Sequence, residues 1–206
     1  MDIRQLAAFC VTVLLAGIVV FQCKNQKKDS AKKEFSTLRS VSGRHHVRIK
    51  VKNYGMISVE LYADEAPITV TNFISLVKRG FYNGLTFHRV IDGFMIQGGD
   101  PNHNGTGGSE QRIRGEFPSN GINNQLLHKR GAISMARSQN ADSASSQFFL
   151  VQQDSSHLDG DYAVFGYVTD GMEVVDRICK ETKIQDNDGT VAREDQPVIE
   201  EITMID

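Results

Sequence analysis

The chain is 206 residues long, 40% hydrophobic and 23% charged, with 18 Gly, 4 Pro and 3 Cys, a composition that excludes a disordered, collagen-like or disulfide-stapled protein. Its length suits one good-sized domain with an appendage. The formal charge of −2 is unevenly divided: residues 1–35 carry 6 Lys/Arg against 3 Asp/Glu, leaving 17 against 22 in residues 36–206. That body has no basic surplus to single out nucleic acid as a partner.

The first predicted element is an uncharged run from Leu6 to Phe21, followed by Gln22, Cys23 and a lysine-rich stretch. Sixteen residues fall short of the roughly 20 that a membrane-crossing helix needs and match the apolar part of an export signal. A cysteine just past such a run resembles a bacterial lipoprotein, with Cys23 as the lipidation candidate. Gln22 is larger than the residue usual before such a cysteine. Five lysines after the run against Arg4 before it would keep the body of an uncleaved anchor in the cytoplasm. An uncleaved anchor and a buried helix therefore remain open beside the lipoprotein. The expectation is an exported, membrane-associated protein with a signal or anchor over 1–23, a polar linker over 24–44 and a folded domain over 45–206.

From His45 the pattern changes. HVRIKV and GMISVELYA alternate on either side of Asn53-Tyr54-Gly55, which predicts an antiparallel hairpin. Pro67 to Arg79 places Ile68, Val70, Phe73, Ile74 and Val77 on one helical face, with Pro in the first turn and Gly80 after the end. Short apolar runs at 86–91, 94–98, 131–136, 147–152 and 163–168 predict strands. Met172–Cys179 predicts a second helix, and 197–205 a last strand. Eight strands and two helices without strict βαβ order predict a mainly β fold, a closed eight-stranded antiparallel barrel capped by two helices.

Familiar catalytic motifs are missing. The chain has no GxSxG, HExxH or GxxxxGK[ST]. Cys10, Cys23 and Cys179 lack metal-ligand spacing, and the six histidines lack it too. The loop GGDPNHNGTGG (98–108) has no Walker lysine, and Asp186, Asp188 and Gly189 fit a turn better than a calcium loop, whose first ligand position would fall on Ile184. What stands out is Arg89 in FHRVIDGFMIQGGD (87–100). Strand alternation puts Phe87, Arg89 and Ile91 on one side, and the strand after the Asp92-Gly93 turn supplies Phe94, Met95 and Gln97. Either a guanidinium, an amide and large apolar groups converge there, or Arg89 is an exposed residue beside two core strands.

FHRVIDGFMIQGGD, NGTGG (104–108), GAISMAR (131–137), SSQFF (145–149) and HLDGDYAVFG (157–166), in this order and spacing, resemble the cyclophilin family of peptidyl-prolyl cis/trans isomerases across residues 45–206. The resemblance implies an eight-stranded barrel with two helices and rotation of X–Pro bonds in proline-containing polypeptides and unfolded clients. It implies no cofactor and no metal. It makes Arg89 and Gln97 catalytic, with Phe94, Met95, Ala136, Arg137, Phe149, His157, Leu158 and Tyr162 as substrate-binding residues. His157 stands where the best-known eukaryotic members often have tryptophan, Tyr162 where they have histidine and Arg137 where they have asparagine; the last two look like the bacterial branch. Tight cyclosporin binding, which leans on that tryptophan in the family, is not implied.

Overall fold

The computed structural model describes residues 40–206, so the expectations for the Leu6–Phe21 run, for Cys23 and for most of the linker lie outside the described residues. Strands β1 (Arg44–Val51) and β2 (Gly55–Tyr62) form the expected hairpin, with Val47 opposite Val59 and Ile49 opposite Ile57. Its turn has Asn53 at φ 66° and Gly55 at φ 132°, a backbone that asparagine and glycine tolerate best. Helix α1 (Pro67–Lys78) starts on Pro67 but has no side-chain cap from Ala66. A distant carboxylate replaces it: Glu116 accepts from the Ile68 and Thr69 amides at 3.0 and 2.7 Å, and from the Thr69 hydroxyl at 2.7 Å. The free N–H groups and the positive end of the helix dipole both favour an anion there.

Strands β3 (Phe87–Ile91), β4 (Met95–Gly98), β5 (Ala132–Met135), β6 (Phe148–Val151), β7 (Val164–Asp170) and β8 (Ile199–Met204), with helix α2 (Met172–Glu181) before β8, complete the element order. The eight strands form one antiparallel sheet in the order β3-β4-β6-β5-β7-β2-β1-β8. The expected closed barrel is not formed as a continuous ladder. The sheet is open, and its edges touch only briefly, around a bridge between Thr86 and Val198, where Phe87 N–H donates to the Pro197 carbonyl and Ile199 N–H to the Leu85 carbonyl. The reason lies along the outer edge of β3. Past Phe87 that edge is taken by the segment after α2, with Val90 N–H donating to the Gly189 carbonyl and Val191 N–H to the His88 carbonyl. That segment, and not β8, pairs with β3 beyond Phe87.

One face of the sheet carries an aromatic core under α1. Phe73 lies 5.1 Å from Tyr82, 5.5 Å from Phe148 and 5.2 Å from Phe165, centre to centre, and all four rings are fully buried. Cys179 of α2 is buried, and burial pushes its thiol up to about 12, so it carries no thiolate at neutral pH. The other face holds a smaller cluster built on Met95, Ala132, Phe149, Val151 and Val164.

Candidate active site

Alternation alone misplaces Arg89. The β3–β4 register slips between Phe87, which faces Gly98, and Arg89, which faces Gln97, so His88 is an extra residue on β3. A one-residue bulge reverses which face each following side chain takes. Phe87 therefore joins the aromatic core, 6.2 Å from Phe148, while Arg89 emerges on the opposite face beside Gln97. The expectation that Phe87 and Arg89 share a side is corrected by this bulge.

On that face a cavity of about 190 Å³ is lined by Arg89, Phe94, Met95, Gln97, Ala136, Arg137, Phe149, Leu158 and Tyr162. Nine of the ten expected residues thus converge. His157 is exposed and is not part of the wall; its ring packs on Phe94 at 5.4 Å, behind the rim. Met95 and Phe149 are almost wholly buried, at 1% and 5% exposure, whereas Phe94 is half-buried. Tyr162 stands edge-on to Phe149 at 6.1 Å, and the Arg137 guanidinium lies 4.5 Å over the Tyr162 ring, a favourable cation–π placement. The Ala136 N–H donates to the Gln147 carbonyl at 3.0 Å, so only its carbonyl remains for a bound peptide.

The polar groups are held from outside the cavity. Arg89 Nε donates to the Asp188 carbonyl at 2.7 Å, and its Nη1 lies 3.5 Å from Gln97 Oε1. The Asp188 carbonyl is fixed in turn because Asp186 accepts from the Asp188 and Thr190 amides, both at 3.0 Å. The turn at 186–189 thus orients Arg89 and leaves Nη2 without a partner among the described residues. Gln97 donates to Gln147 Oε1 at 2.9 Å, and Gln147 donates to the Gly105 and Gly107 carbonyls.

The Gly-rich loop is built inward. The buried Asp100 carboxylate accepts from the Asn102, Asn104 and Gly105 amides. Burial raises its pKa, but those amides outweigh burial and hold it below the usual carboxylate range. An anion of the chain itself already occupies the place a phosphate would take, so the loop is no nucleotide cradle. Among the described residues no cluster of His, Cys, Asp or Glu could hold a metal ion, and no helix is long and apolar enough to cross a membrane.

The model of the cyclophilin-type peptidyl-prolyl cis-trans isomerases matches residues 46–204. The chain belongs to that family. A peptidyl-prolyl cis-trans isomerase of Helicobacter pylori (strain ATCC 700392 / 26695) is 50% identical over 128 residues, 61% of this chain and 76% of that protein. Peptidyl-prolyl cis-trans isomerase B of Bacillus subtilis (strain 168) is 49% identical over 117 residues, 57% of this chain and 78% of its own length. Among solved structures, a Cryptosporidium parvum cyclophilin-type isomerase superposes with TM-score 0.70 at 30% identity, covering 80% of this chain and 99% of that one. The same protein crystallised in the presence of the dipeptide Ala-Pro gives TM-score 0.69 at 31% identity over 78% of this chain and 99% of that one. The chain's activity is peptidyl-prolyl cis-trans isomerisation.

Behind the cyclophilin cavity lies a network that reading the sequence did not find. His128 stacks on Phe149 with ring centres 5.9 Å apart and planes 10° apart. Its Nδ1 lies 2.9 Å from Asp159 Oδ1 and its Nε2 3.0 Å from Ser134 Oγ. Ser, His and Asp in this order match a nucleophilic triad in form, yet Ser134 is fully buried, and no substrate carbonyl can reach it. The network is a buttress for the Phe149 ring. Burial lowers the His128 pKa against the opposing pull of Asp159, which keeps the ring neutral, as a donor to one partner and an acceptor from the other. No short-range motif marks it: the three residues lie on a loop, on β5 and after a 3₁₀ turn.

Proposed function

We propose that Arg89 is the transition-state donor of the isomerisation and that the apolar wall of the cavity seats the proline ring. An X–Pro bond rotates over a barrier of about 18–20 kcal/mol because twisting breaks amide conjugation. At the twisted state the proline nitrogen becomes pyramidal and its lone pair localises. A donor aimed at that nitrogen binds the transition state more strongly than either planar isomer, which is what lowers the barrier. Rotation breaks no covalent bond, so neither a nucleophile nor a cofactor enters the scheme. The observation that carries the reading is an arginine held by a backbone carbonyl at the edge of a cavity walled in part by Phe94, Met95, Phe149 and Leu158, with one guanidinium nitrogen unpaired among the described residues.

Phe94, Met95, Phe149 and Leu158 supply the seat for the pyrrolidine ring. Gln97 and the Ala136 carbonyl hold the peptide on one side of the bond so that the other side turns, a restriction of freedom that itself accelerates reaction. Tyr162 offers a hydroxyl over the rim, and Arg137 packs against Tyr162 and holds its ring. Arg89→Ala in the full chain tests the reading in a proline-peptide isomerisation assay. The expected loss in kcat/KM is about 10²–10³-fold, the scale of losing one preorganised donor of about 3–4 kcal/mol. The parent rate in a folded Arg89→Ala variant would remove Arg89 from the chemistry. Binding without turnover in the parent chain would favour a proline-peptide binding module.

We infer further, from the sequence, that the protein works on proline-containing and unfolded clients outside the cytoplasm, at a membrane surface. The support is the Leu6–Phe21 run, Cys23 at its end and the lysine-rich segment after it. Several acyl chains on one cysteine would hold the protein firmly, where one chain would not. Cys23→Ser should release the protein from membranes or block its processing. Unaltered membrane association in that variant would assign the anchor to the apolar run, and an intact Met1 on the native protein would end the lipoprotein reading.

A further inference from the structure

A second hollow, of about 280 Å³, adjoins the proline cavity and shares Gln97, Ala136 and Arg137 with it. Its wall carries two arginines, Arg112 and Arg137, and no carboxylate. Arg137 is fixed in place: Nε donates to the Asp161 carbonyl at 2.9 Å and Nη1 to the Ser138 carbonyl at 3.0 Å. These bonds leave its charge uncompensated by any carboxylate. Arg112 is exposed, and its guanidinium has neither a hydrogen-bond nor an ion-pair partner among the described residues.

Two acidic groups near the hollow, Asp100 and Asp142, are engaged elsewhere. Asp100 accepts from loop amides on the far side of Gly107. Asp142 accepts from the Gly115 amide and from Asn120 Nδ2. Glu110 is exposed and stands outside the wall. The hydroxyl of Ser145, in the wall, has no partner among the described residues and adds a donor that an anion could use. The hollow therefore presents positive charge and free donors directly beside the seat of the reacting bond. An extended peptide advances about 3.3 Å per residue, so a side chain within three residues of the proline reaches it.

We propose that this hollow selects substrates bearing an acidic side chain, carboxylate or phosphate, within three residues of the proline, with Arg112 as the residue that sets the preference. The proposal rests on the Arg89 cavity seating the proline. Arg112 is an arm of recognition, distant from the rotating bond, and its effect is read in KM. The test uses peptides identical except at one position, carrying Glu, phosphoserine, Ala or Lys in turn at each of three positions on either side of the proline. The full chain is expected to turn over the Glu peptide about five times more efficiently than the Lys peptide at one position or more. The preference should shrink in high salt, as screening of exposed charges requires. A larger preference for phosphoserine than for Glu would identify phosphate as the favoured anion, and the reverse would identify carboxylate.

Arg112→Gln should abolish the preference and Arg112→Glu should reverse it, with the change in KM rather than kcat. Equal kcat/KM for Glu and Lys peptides at all six positions would overturn the proposal, and so would a preference that survives in Arg112→Gln. A folded Arg112→Gln variant that loses turnover of every peptide alike would also overturn it. The Ala peptides separate the two readings: a parent chain that fails to isomerise them defeats the proline-seat assignment, whereas charge-blind turnover of all peptides defeats only the selection.

Discussion

Phe148 and Phe149 are adjacent on β6 and both buried, yet they belong to different regions of the molecule. Phe148 packs edge-on against Phe73 and Tyr82, each 5.5 Å away, in a core of hydrocarbon contacts. Phe149 lies on the opposite face, where its neighbours are the neutral His128 ring on one side and the cavity beside Arg89 on the other. One face is held by packed apolar side chains, with the buried Tyr82 hydroxyl donating to the Ser146 carbonyl. The other has an apolar surface underpinned by hydrogen-bonded polar groups, an arrangement that fixes an open cavity without filling it. The contrast shows how a sheet separates stability from function across the thickness of one strand: alternation sends neighbours to opposite faces, and each face can then be built for its own task.

The largest expected effect breaks the comparison outright. Phe148→Ala should cost about 3–5 kcal/mol of stability, the usual penalty for emptying a buried aromatic site. Phe149→Ala should cost less, because the open cavity already adjoins it, and should instead weaken catalysis by raising KM. Urea unfolding and isomerisation kinetics on both variants check this. Equal stability losses with unchanged kcat/KM in Phe149→Ala would dissolve the distinction between the faces.

Next in size is the turn that aims Arg89. Gly189 sits at φ +81°, and a side chain there would meet the Val90 carbonyl and the Ile91 side chain. Gly189→Ala should therefore cost about 1–3 kcal/mol through backbone strain and collision. By displacing the Asp188 carbonyl it should also lower kcat/KM roughly tenfold. A folded Gly189→Ala variant with the parent rate would show that Arg89 needs no support from this turn.

Acid sharpens the comparison further. His88 is 5% exposed, neither of its ring nitrogens has a partner among the described residues, and burial lowers its pKa; burial also lowers that of His128. Unfolding returns both rings to water, where they titrate near 6.5. As pH falls below that value the unfolded chain takes up protons that the folded chain refuses, so stability drops until the lowered folded pKa values are passed. Within that window the slope is up to about 1.4 kcal/mol per pH unit for each ring, and above it these rings contribute no dependence. Denaturant midpoints at pH 7.5 and 5.5 measure the effect, and identical midpoints would mean that the rings titrate alike in both states.

The smallest expected effect is at the rim. An exposed imidazole against Phe94 gives a bound ring less apolar surface than an indole does, and no fixed indole N–H. Cyclosporin should inhibit the protein weakly, and His157→Trp should improve inhibition by several-fold. Nanomolar inhibition of the unaltered chain would contradict this.

All eight strands and both helices were legible in the sequence because their signals are local: alternation in β1 and β2, a helical apolar face after Pro67, glycine and asparagine at the turns. The convergence of nine cavity residues followed from motifs whose order and spacing resemble those of a known family. Three features could be decided only by the tertiary structure. Sheet closure depends on what covers the outer edge of β3, which is a segment about a hundred residues away in sequence. The side taken by Arg89 depends on one extra residue in the β3–β4 register, invisible to any periodicity read along β3 alone. The support behind the site, Asp186 and Asp188 for Arg89 and His128, Ser134 and Asp159 for Phe149, comes from residues that meet only when separate loops and strands pack. Local propensity acts between neighbours in the chain. Register, edge pairing and buried polar networks are interactions between neighbours in space, and only the fold determines which residues those are.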